Sequence, residues 1–271
     1  MKKRILTSVI LLPVIIVFLF FLPKVCTAVL ACLLAAVAAF ELLWGTGLAR
    51  HLRLTIYSAV MAAGVVLWGY FGWGYAVALV GILVFTVLLY MEMLISHGKL
   101  PIAQIVLAYF AAIIVPFCFG AIVRILDMDL GRQLIATPFV ACFMPDAGAY
   151  FAGRAFGRHK MCPNISPNKT VEGAIGGVIC AVIGMEIYGL ILQFVFGLQV
   201  NYLLAVLYGL LGAGASIMGD LFFSALKRQT GIKDYGKLFP GHGGVMDRLD
   251  SLTLVSPIME VLLLLIPFAV K

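Results

Sequence analysis

Charge is scarce in this sequence. Asp, Glu, Lys and Arg make up 11% of the 271 residues, against 63% hydrophobic, and the mean hydropathy is +1.12. A single soluble core of this length cannot bury so much apolar surface, so a soluble globular domain is excluded. The six cysteines, Cys26, Cys32, Cys118, Cys142, Cys162 and Cys180, contain no CxxC pair and have no His at ligand spacing. That argues against a disulfide framework and against a zinc site; all but Cys162 fall in apolar runs and read as core filler. There is no repeat of fixed period, no low-complexity tract and no long linker, so one membrane-embedded domain over residues 1–271 is expected. No small-x-small cleavage pattern follows the first apolar run, which therefore reads as a retained helix rather than a signal peptide.

What is present is a series of apolar runs of spanning length. They cover residues 5–22, 25–43, 54–71, 75–95, 102–123, 134–151, 171–198, 202–225 and 252–270. Each is about long enough to cross roughly 30 Å of hydrocarbon as a helix. The expected fold is all-α, a polytopic integral membrane protein with about nine transmembrane helices.

Cytosolic loops of such proteins gather Lys and Arg. If the N-terminus is cytosolic, the inner side carries Lys2, Lys3, Arg4, Arg50, Arg53, Lys99, Arg154, Arg158, Lys160, Lys169, Lys227, Arg228, Lys233, Lys237 and Arg248. Only Lys24, Arg124, Arg132 and Lys271 then lie outside. The net charge of +7 is thus explained by orientation in the bilayer, and no nucleic-acid partner is expected. Residues 5–143 read mainly as scaffold helices, and residues 144–271 as the half that carries chemistry.

Three polar clusters fall on the expected cytosolic side. The first follows Pro145 at the end of the sixth run, Asp146-Ala147-Gly148-Ala149-Tyr150-Phe151-Ala152-Gly153-Arg154. An acid in a membrane helix costs roughly 2.5–3.5 kcal/mol near the centre and less toward an interface, so Asp146 needs a cation partner. It is either a functional acid or half of an ion pair with Arg154 or Arg158. The second cluster, Ser166-Pro167-Asn168-Lys169-Thr170-Val171-Glu172-Gly173, leads into the seventh run. Thr170 or Asn168 can cap that helix; its N-terminus beside Lys169 is either a phosphate site or a plain capped start with a snorkelling lysine.

The third cluster runs from Asp220 to Asp250 and interleaves Asp220, Asp234, Asp247 and Asp250 with Lys227, Arg228, Lys233, Lys237, Arg248 and His242. On a helix Asp220, Ser224 and Lys227 share a face, with Arg228 about 80° away from Asp220; Asp247 and Asp250, three apart, share another. Carboxylates offered from two helix ends suit a hard cation such as Mg2+, which takes oxygen ligands and completes its shell with water or phosphate oxygens. Gly241, Gly243 and Gly244 let the backbone turn sharply, with N–H groups available to an anion. A solvated basic loop accounts for the Lys and Arg but poorly for the interleaved acids. Gly173, Gly176, Gly177, Gly212, Gly214 and Gly219 suggest close helix packing. Glu186 and Glu260 lie in apolar runs, Glu41 and Glu92 nearer helix ends where they read as interfacial; all four are left outside the site.

The pattern Ser224-x-Leu226-Lys227-Arg228-x4-Lys233-Asp234-x-Gly236-x2-Phe239-Pro240-x-His242-Gly243-Gly244-Val245-x-Asp247-Arg248-Leu249-Asp250 resembles the signature of phosphatidate cytidylyltransferases (CDP-diacylglycerol synthases). The DAGAYFAGRAFGRHK and SPNKTVEG segments are also similar to that family. One departure is Phe223, where members commonly have Glu; its task then falls to Asp220 or a neighbour.

The resemblance implies transfer of CMP from CTP to phosphatidate, giving CDP-diacylglycerol and pyrophosphate with Mg2+, at a bacterial inner (plasma) membrane with the site facing the cytoplasm. It implies Asp220 and Asp247 as metal ligands, with Asp146 and Asp250 in the same shell, and Asp220, Asp247, Lys227 and Arg228 as the catalytic set. Lys227, Arg228, Lys233, Lys169 and Arg248 would neutralise phosphates, and Ser166, Asn168, Thr170 and Ser224 would donate hydrogen bonds to them. Gly243, Gly244 and His242 complete the substrate-binding set; His242 reads as loop-fixing or phosphate-contacting rather than a base, because the phosphate monoester is its own nucleophile. A second, monovalent cation and a homodimer are compatible with the resemblance. The alternatives are a transporter of an anionic lipid or metabolite, against which stands the lack of a matching charged cluster outside, the loops near 72–74 and 199–201 carrying no charge, and another membrane phosphate-transferring enzyme. The acid pattern of CDP-alcohol transferases, D-G-x2-A-R-x8-G-x3-D-x3-D, is absent.

Overall fold

The computed structural model describes residues 13, 15–49, 51–239 and 243–271. In chain order, a π-helical turn Val17–Phe21 is followed by α1 (Lys24–Phe40), which widens into a π-turn at Glu41–Gly45. Then come α2 (Leu52–Phe71), α3 (Tyr75–Ile95) and a broken span of α4 (Ile102–Tyr109), a π-turn Phe110–Ile114, α5 (Val115–Phe119) and α6 (Ala121–Asp127). The break surrounds Pro116, which has no N–H for the helical ladder. After α7 (Gly131–Leu134) and α8 (Thr137–Phe156), a hairpin of β1 (Lys160–Cys162) and β2 (Ser166–Thr170) leads into α9 (Val171–Phe196). The chain closes with β3 (Gln199–Val200), α10 (Tyr202–Gln229), α11 (Met246–Leu265) and β4 (Ala269–Val270), which pairs antiparallel with β3.

The protein is a polytopic membrane protein of all-α class, with two short ladders added. Among the described residues seven helices are long and apolar enough to cross a membrane: Lys24–Gly45, Leu52–Phe71, Tyr75–Ile95, Ile102–Asp127, Gly131–Phe156, Val171–Phe196 and Tyr202–Gln229. They correspond one for one to the second through eighth apolar runs. Half of the expected first span, 5–22, lies outside the described residues. The expected last span, 252–270, is displaced: α11 starts at Met246, so its polar end includes Asp247, Arg248 and Asp250, and it stops at Leu265 ahead of Pro267.

The chain forms two compact units, one of Met1–Asp127 with Gln229–Leu249, the other of Met128–Arg228 with Asp250–Lys271. In the first, α1 and α2 pack along each other, and α3 leaves most of its apolar side chains exposed, as a lipid-facing helix does. Lys24, at the start of α1, pairs with Asp127 at 2.9 Å, so the start of α1 and the end of α6 share one face of that unit.

In the second unit α8 and α9 pack most extensively. Small residues make this possible: a β-carbon on Gly177 would come within 2.8 Å of the Pro145 carbonyl oxygen, one on Gly173 within 2.9 Å of that of Ala149, and one on Gly176 would overlap Ala152. Gly212 is held against Ala141 and Gly219 against the backbone of Asp250 and Ser251, as the glycine pattern suggested; Gly214 faces open space.

Candidate functional site

In the second unit the polar residues gather at one end of the bundle. Ser216 of α10 donates its hydroxyl to the Cys142 carbonyl of α8 at 3.5 Å. One turn further along each helix stand Asp220 and Asp146, and the close approach of Gly219 to Asp250 brings α11 to the same level. Cys142 accordingly lies within electrostatic reach of Asp146, Asp250 and Asp220 together. Asp146 is exposed and Asp220 and Asp250 are half-buried, so these carboxylates look outward rather than into the apolar core. Pro145 lies inside α8, and its missing N–H loosens the helix one residue before Asp146.

Asp220 is the best-defined of the three. Its Oδ2 stands 2.5 Å from Lys169 Nζ, and its Oδ1 accepts a hydrogen bond from the Ser224 hydroxyl at 3.0 Å. Lys169 reaches it from β2, because the β1–β2 hairpin is tied down on both sides. Arg228 Nε donates to the Ile165 carbonyl at 3.2 Å, and Glu172 accepts from the backbone N–H groups of Arg158 at 3.1 Å and His159 at 3.2 Å and from the His159 ring. This hairpin was not expected from the sequence, which suggested only a polar connection.

Thr170 caps α9: its Oγ1 accepts from Gly173 N at 3.1 Å, while Val171 N donates to the His159 carbonyl at 2.9 Å. The cap is common to both readings of this helix start, and Thr170 is buried. Ser166 is half-buried and Asn168 exposed on the hairpin; Lys227 is half-buried and Arg228 exposed at the end of α10. Arg154 donates to Tyr150 Oη at 3.2 Å within α8. Phe223 is buried, edge-on to Phe222, so the position offers no polar group.

The first unit holds the rest of the cluster. Asp247, in the first turn of α11, is buried, and its Oδ2 accepts from Tyr235 N at 2.8 Å and Gly244 N at 2.9 Å. Phe239 N donates to the Gly243 carbonyl at 2.9 Å, an isolated antiparallel bridge. Gly243 has φ +81°, and a β-carbon there would approach Asp247 Oδ2 to 2.7 Å, so only glycine fits on both counts. Lys233, Asp234, Lys237 and Arg248 are exposed. His242, expected to contact phosphate or fix the loop, lies outside the described residues, as does Gly241. Asp220 and Asp247, expected to share a cation, belong to different units. The described bonds of Asp220 go to Lys169 and Ser224, those of Asp247 to Tyr235 and Gly244.

Two acids read as interfacial are buried instead. Glu92 is 3% exposed and faces His51 at 3.4 Å. Glu41 is 5% exposed and accepts from Val245 N at 3.1 Å and Met246 N at 2.8 Å. A position near the end of an apolar run does not reveal that the chain returns some two hundred residues later to cover it. Only the surplus of glycines at 236, 243 and 244 hinted that something must be received there.

Among the described residues no three His, Cys, Asp or Glu side chains are grouped closely enough to hold a metal by themselves. Mg2+ does not require such a cage: it is usually bound by one or two carboxylates and completes its shell with water and substrate phosphate oxygens. Oxygen donors at Asp220, Asp146 and Asp250, partly open to solvent, fit that mode of binding.

Comparison with known proteins gives a consistent result. The model of a family described as the cytidylyltransferase family matches residues 2–266. A phosphatidate cytidylyltransferase of Bacillus subtilis (strain 168) is 34% identical over 98% of this chain and 98% of that protein. One from Haemophilus influenzae is 34% identical over 77% of this chain and 67% of its own length, and one from Staphylococcus aureus (strain COL) is 43% identical over 49% of this chain and 50% of that protein.

Proposed function

The chain belongs to the cytidylyltransferase family, and on that premise we infer that it transfers CMP from CTP to phosphatidate, yielding CDP-diacylglycerol and pyrophosphate. A phosphate oxygen of phosphatidate attacks the α-phosphorus of CTP; the new P–O bond forms as the bond from that phosphorus to the bridging oxygen of the β-phosphate breaks, and pyrophosphate leaves with the electron pair. The nucleophile is already an anion and needs no strong base. The difficulty is to bring two polyanions together and to stabilise the charge that moves to the leaving group.

The observation that carries the reading is the Lys169–Asp220 pair, with Ser224 on the second carboxylate oxygen and Arg228 docking the hairpin that bears Lys169. In the free protein Asp220 neutralises Lys169. With nucleotide bound, Lys169 would be placed to pair with a phosphate and the Asp220 carboxylate to hold a cation. We propose Asp220 as the principal Mg2+ ligand, with Asp146 and Asp250 beside it; bound Mg2+ supplies positive charge against the triphosphate. Lys227 and Arg228 are proposed to supply the rest of that charge and Ser224 a hydroxyl donor; Lys233 and Arg248, in the 229–250 segment, are proposed to bind nucleotide phosphate. Asp247 contributes by shaping the loop through Tyr235 and Gly244. The site is proposed to face the cytoplasm at the inner membrane, consistent with the surplus of Lys and Arg in the segments that carry it.

Purified protein given labelled CTP, phosphatidate and Mg2+ tests this. Formation of a CDP-lipid with stoichiometric pyrophosphate supports the assignment; label crossing a proteoliposome membrane without a CDP-lipid would indicate a transporter, and transfer only to another acceptor would indicate a different transferase. The mass of the detergent-solubilised protein tests the proposed homodimer.

A further inference from the structure

Glu41 sits in the π-turn that ends the first described span, and the loop that leads into α11 is built around its carboxylate. Oε1 accepts from Val245 N at 3.1 Å and Oε2 from Met246 N at 2.8 Å, the two N–H groups at the very start of α11. Both are donors with no partner inside the helix, and the helix dipole adds favourable charge. The socket is lined by glycines: a β-carbon on either Gly236 or Gly244 would overlap the Glu41 carboxyl group, and one on Gly45 would overlap the Tyr235 carbonyl oxygen. Tyr235 in turn donates its N–H to Asp247. Loop, helix start and π-turn are thus keyed to one buried carboxylate.

We propose that Glu41 is a positioning residue for the transferase reaction: by clamping the start of α11 it holds residues 230–239 and 243–245, and with them Asp247 and Arg248, in their working arrangement. This rests on the reading that the 229–250 segment serves nucleotide transfer. A buried carboxylate is tolerated only when hydrogen-bonded, and a bond pair that joins parts of the chain so distant in sequence is costly to retain unless the joined segment must be held still. The π-turn fits the same account, since π-turns inside helices gather at functional sites. The glycines at 236 and 244, otherwise expendable in a polar loop, become the complement of Glu41.

The test uses the full-length protein in detergent, comparing wild type with Glu41→Gln, Glu41→Ala and Gly244→Ala. Turnover of CTP with phosphatidate, trypsin cleavage at Lys233 and Lys237, and thermal unfolding are measured for each. The clamp predicts that Glu41→Gln, nearly isosteric but able to accept through one oxygen only, raises loop cleavage and lowers kcat by about tenfold while the KM for CTP shifts less. Glu41→Ala exceeds that, Gly244→Ala reproduces it, and the Glu41→Ala/Gly244→Ala pair is no worse than the more severe single variant. Wild-type kcat and wild-type loop cleavage in both Glu41 variants would overturn the proposal. So would lost turnover with unchanged loop cleavage, faster loop cleavage with unchanged turnover, or faster cleavage at every site with a collapsed unfolding temperature. If Glu41→Ala does not fold, Glu41→Gln decides. If the wild type makes no CDP-lipid, the reading of the reaction fails; loop cleavage then tests the clamp alone, and the role in transfer falls with the reaction.

Discussion

Lys169 Nζ and Asp220 Oδ2 stand 2.5 Å apart, each about a quarter exposed, so the lysine and the acid neutralise one another. A pair so placed is worth little to stability, because partial solvation screens it. On the proposed reaction its value is instead to hold both groups ready for substrate.

Asp220→Asn is therefore expected to lower CDP-lipid formation by about two orders of magnitude or more, the scale seen when one charge-stabilising group is removed from a transferring site, with thermal stability nearly unchanged. Lys169→Met should weaken CTP use comparably. The double variant should lose less than the product of the two, because each single change leaves the partner unneutralised. Full additivity in steady-state kinetics would contradict the coupling.

Chelation of divalent ions should abolish turnover and Mg2+ should restore it. Asp146→Asn and Asp250→Asn are each expected to raise the Mg2+ concentration needed for half-maximal rate, with less effect at saturating metal. A Mg2+ titration that superimposes on wild type for both variants would remove those residues from the metal's surroundings.

Thr170→Ala removes the hydroxyl that accepts from Gly173 N. Loss of such a cap costs about 1 kcal/mol, which lowers the unfolding temperature by roughly 2–4 °C in a chain of this size. Thr170→Ser should restore it. If Thr170→Ala instead raised the KM for CTP many-fold at unchanged stability, the hydroxyl would be a substrate contact.

Two glycines of α9 and α10 make a matched pair. Gly176→Ala places a β-carbon onto Ala152 and should destabilise the protein, whereas Gly214 has open space around it and Gly214→Ala should be neutral or stabilising by up to about 1 kcal/mol. Thermal unfolding in detergent separates them.

Much of this protein was legible from residue type alone. Spans follow from apolar runs because crossing hydrocarbon is a matter of length and hydropathy, so the second through eighth runs coincide with seven helices of the structure. The gathering of acids and bases between 146 and 250 is likewise local, as is the motif that resembles the family to which the chain belongs. Tertiary structure alone decided which groups each carboxylate bonds to. Glu41 reads as an interfacial acid in the sequence but is buried beneath Val245 and Met246; that Thr170 accepts from Gly173 N, and Asp247 from Tyr235 N and Gly244 N, is likewise visible only in the packed chain. The reason is physical: hydropathy and helical period act over a few neighbouring residues. The partner of a buried charge, by contrast, is chosen by whichever distant backbone N–H groups the packed chain brings within about 3 Å.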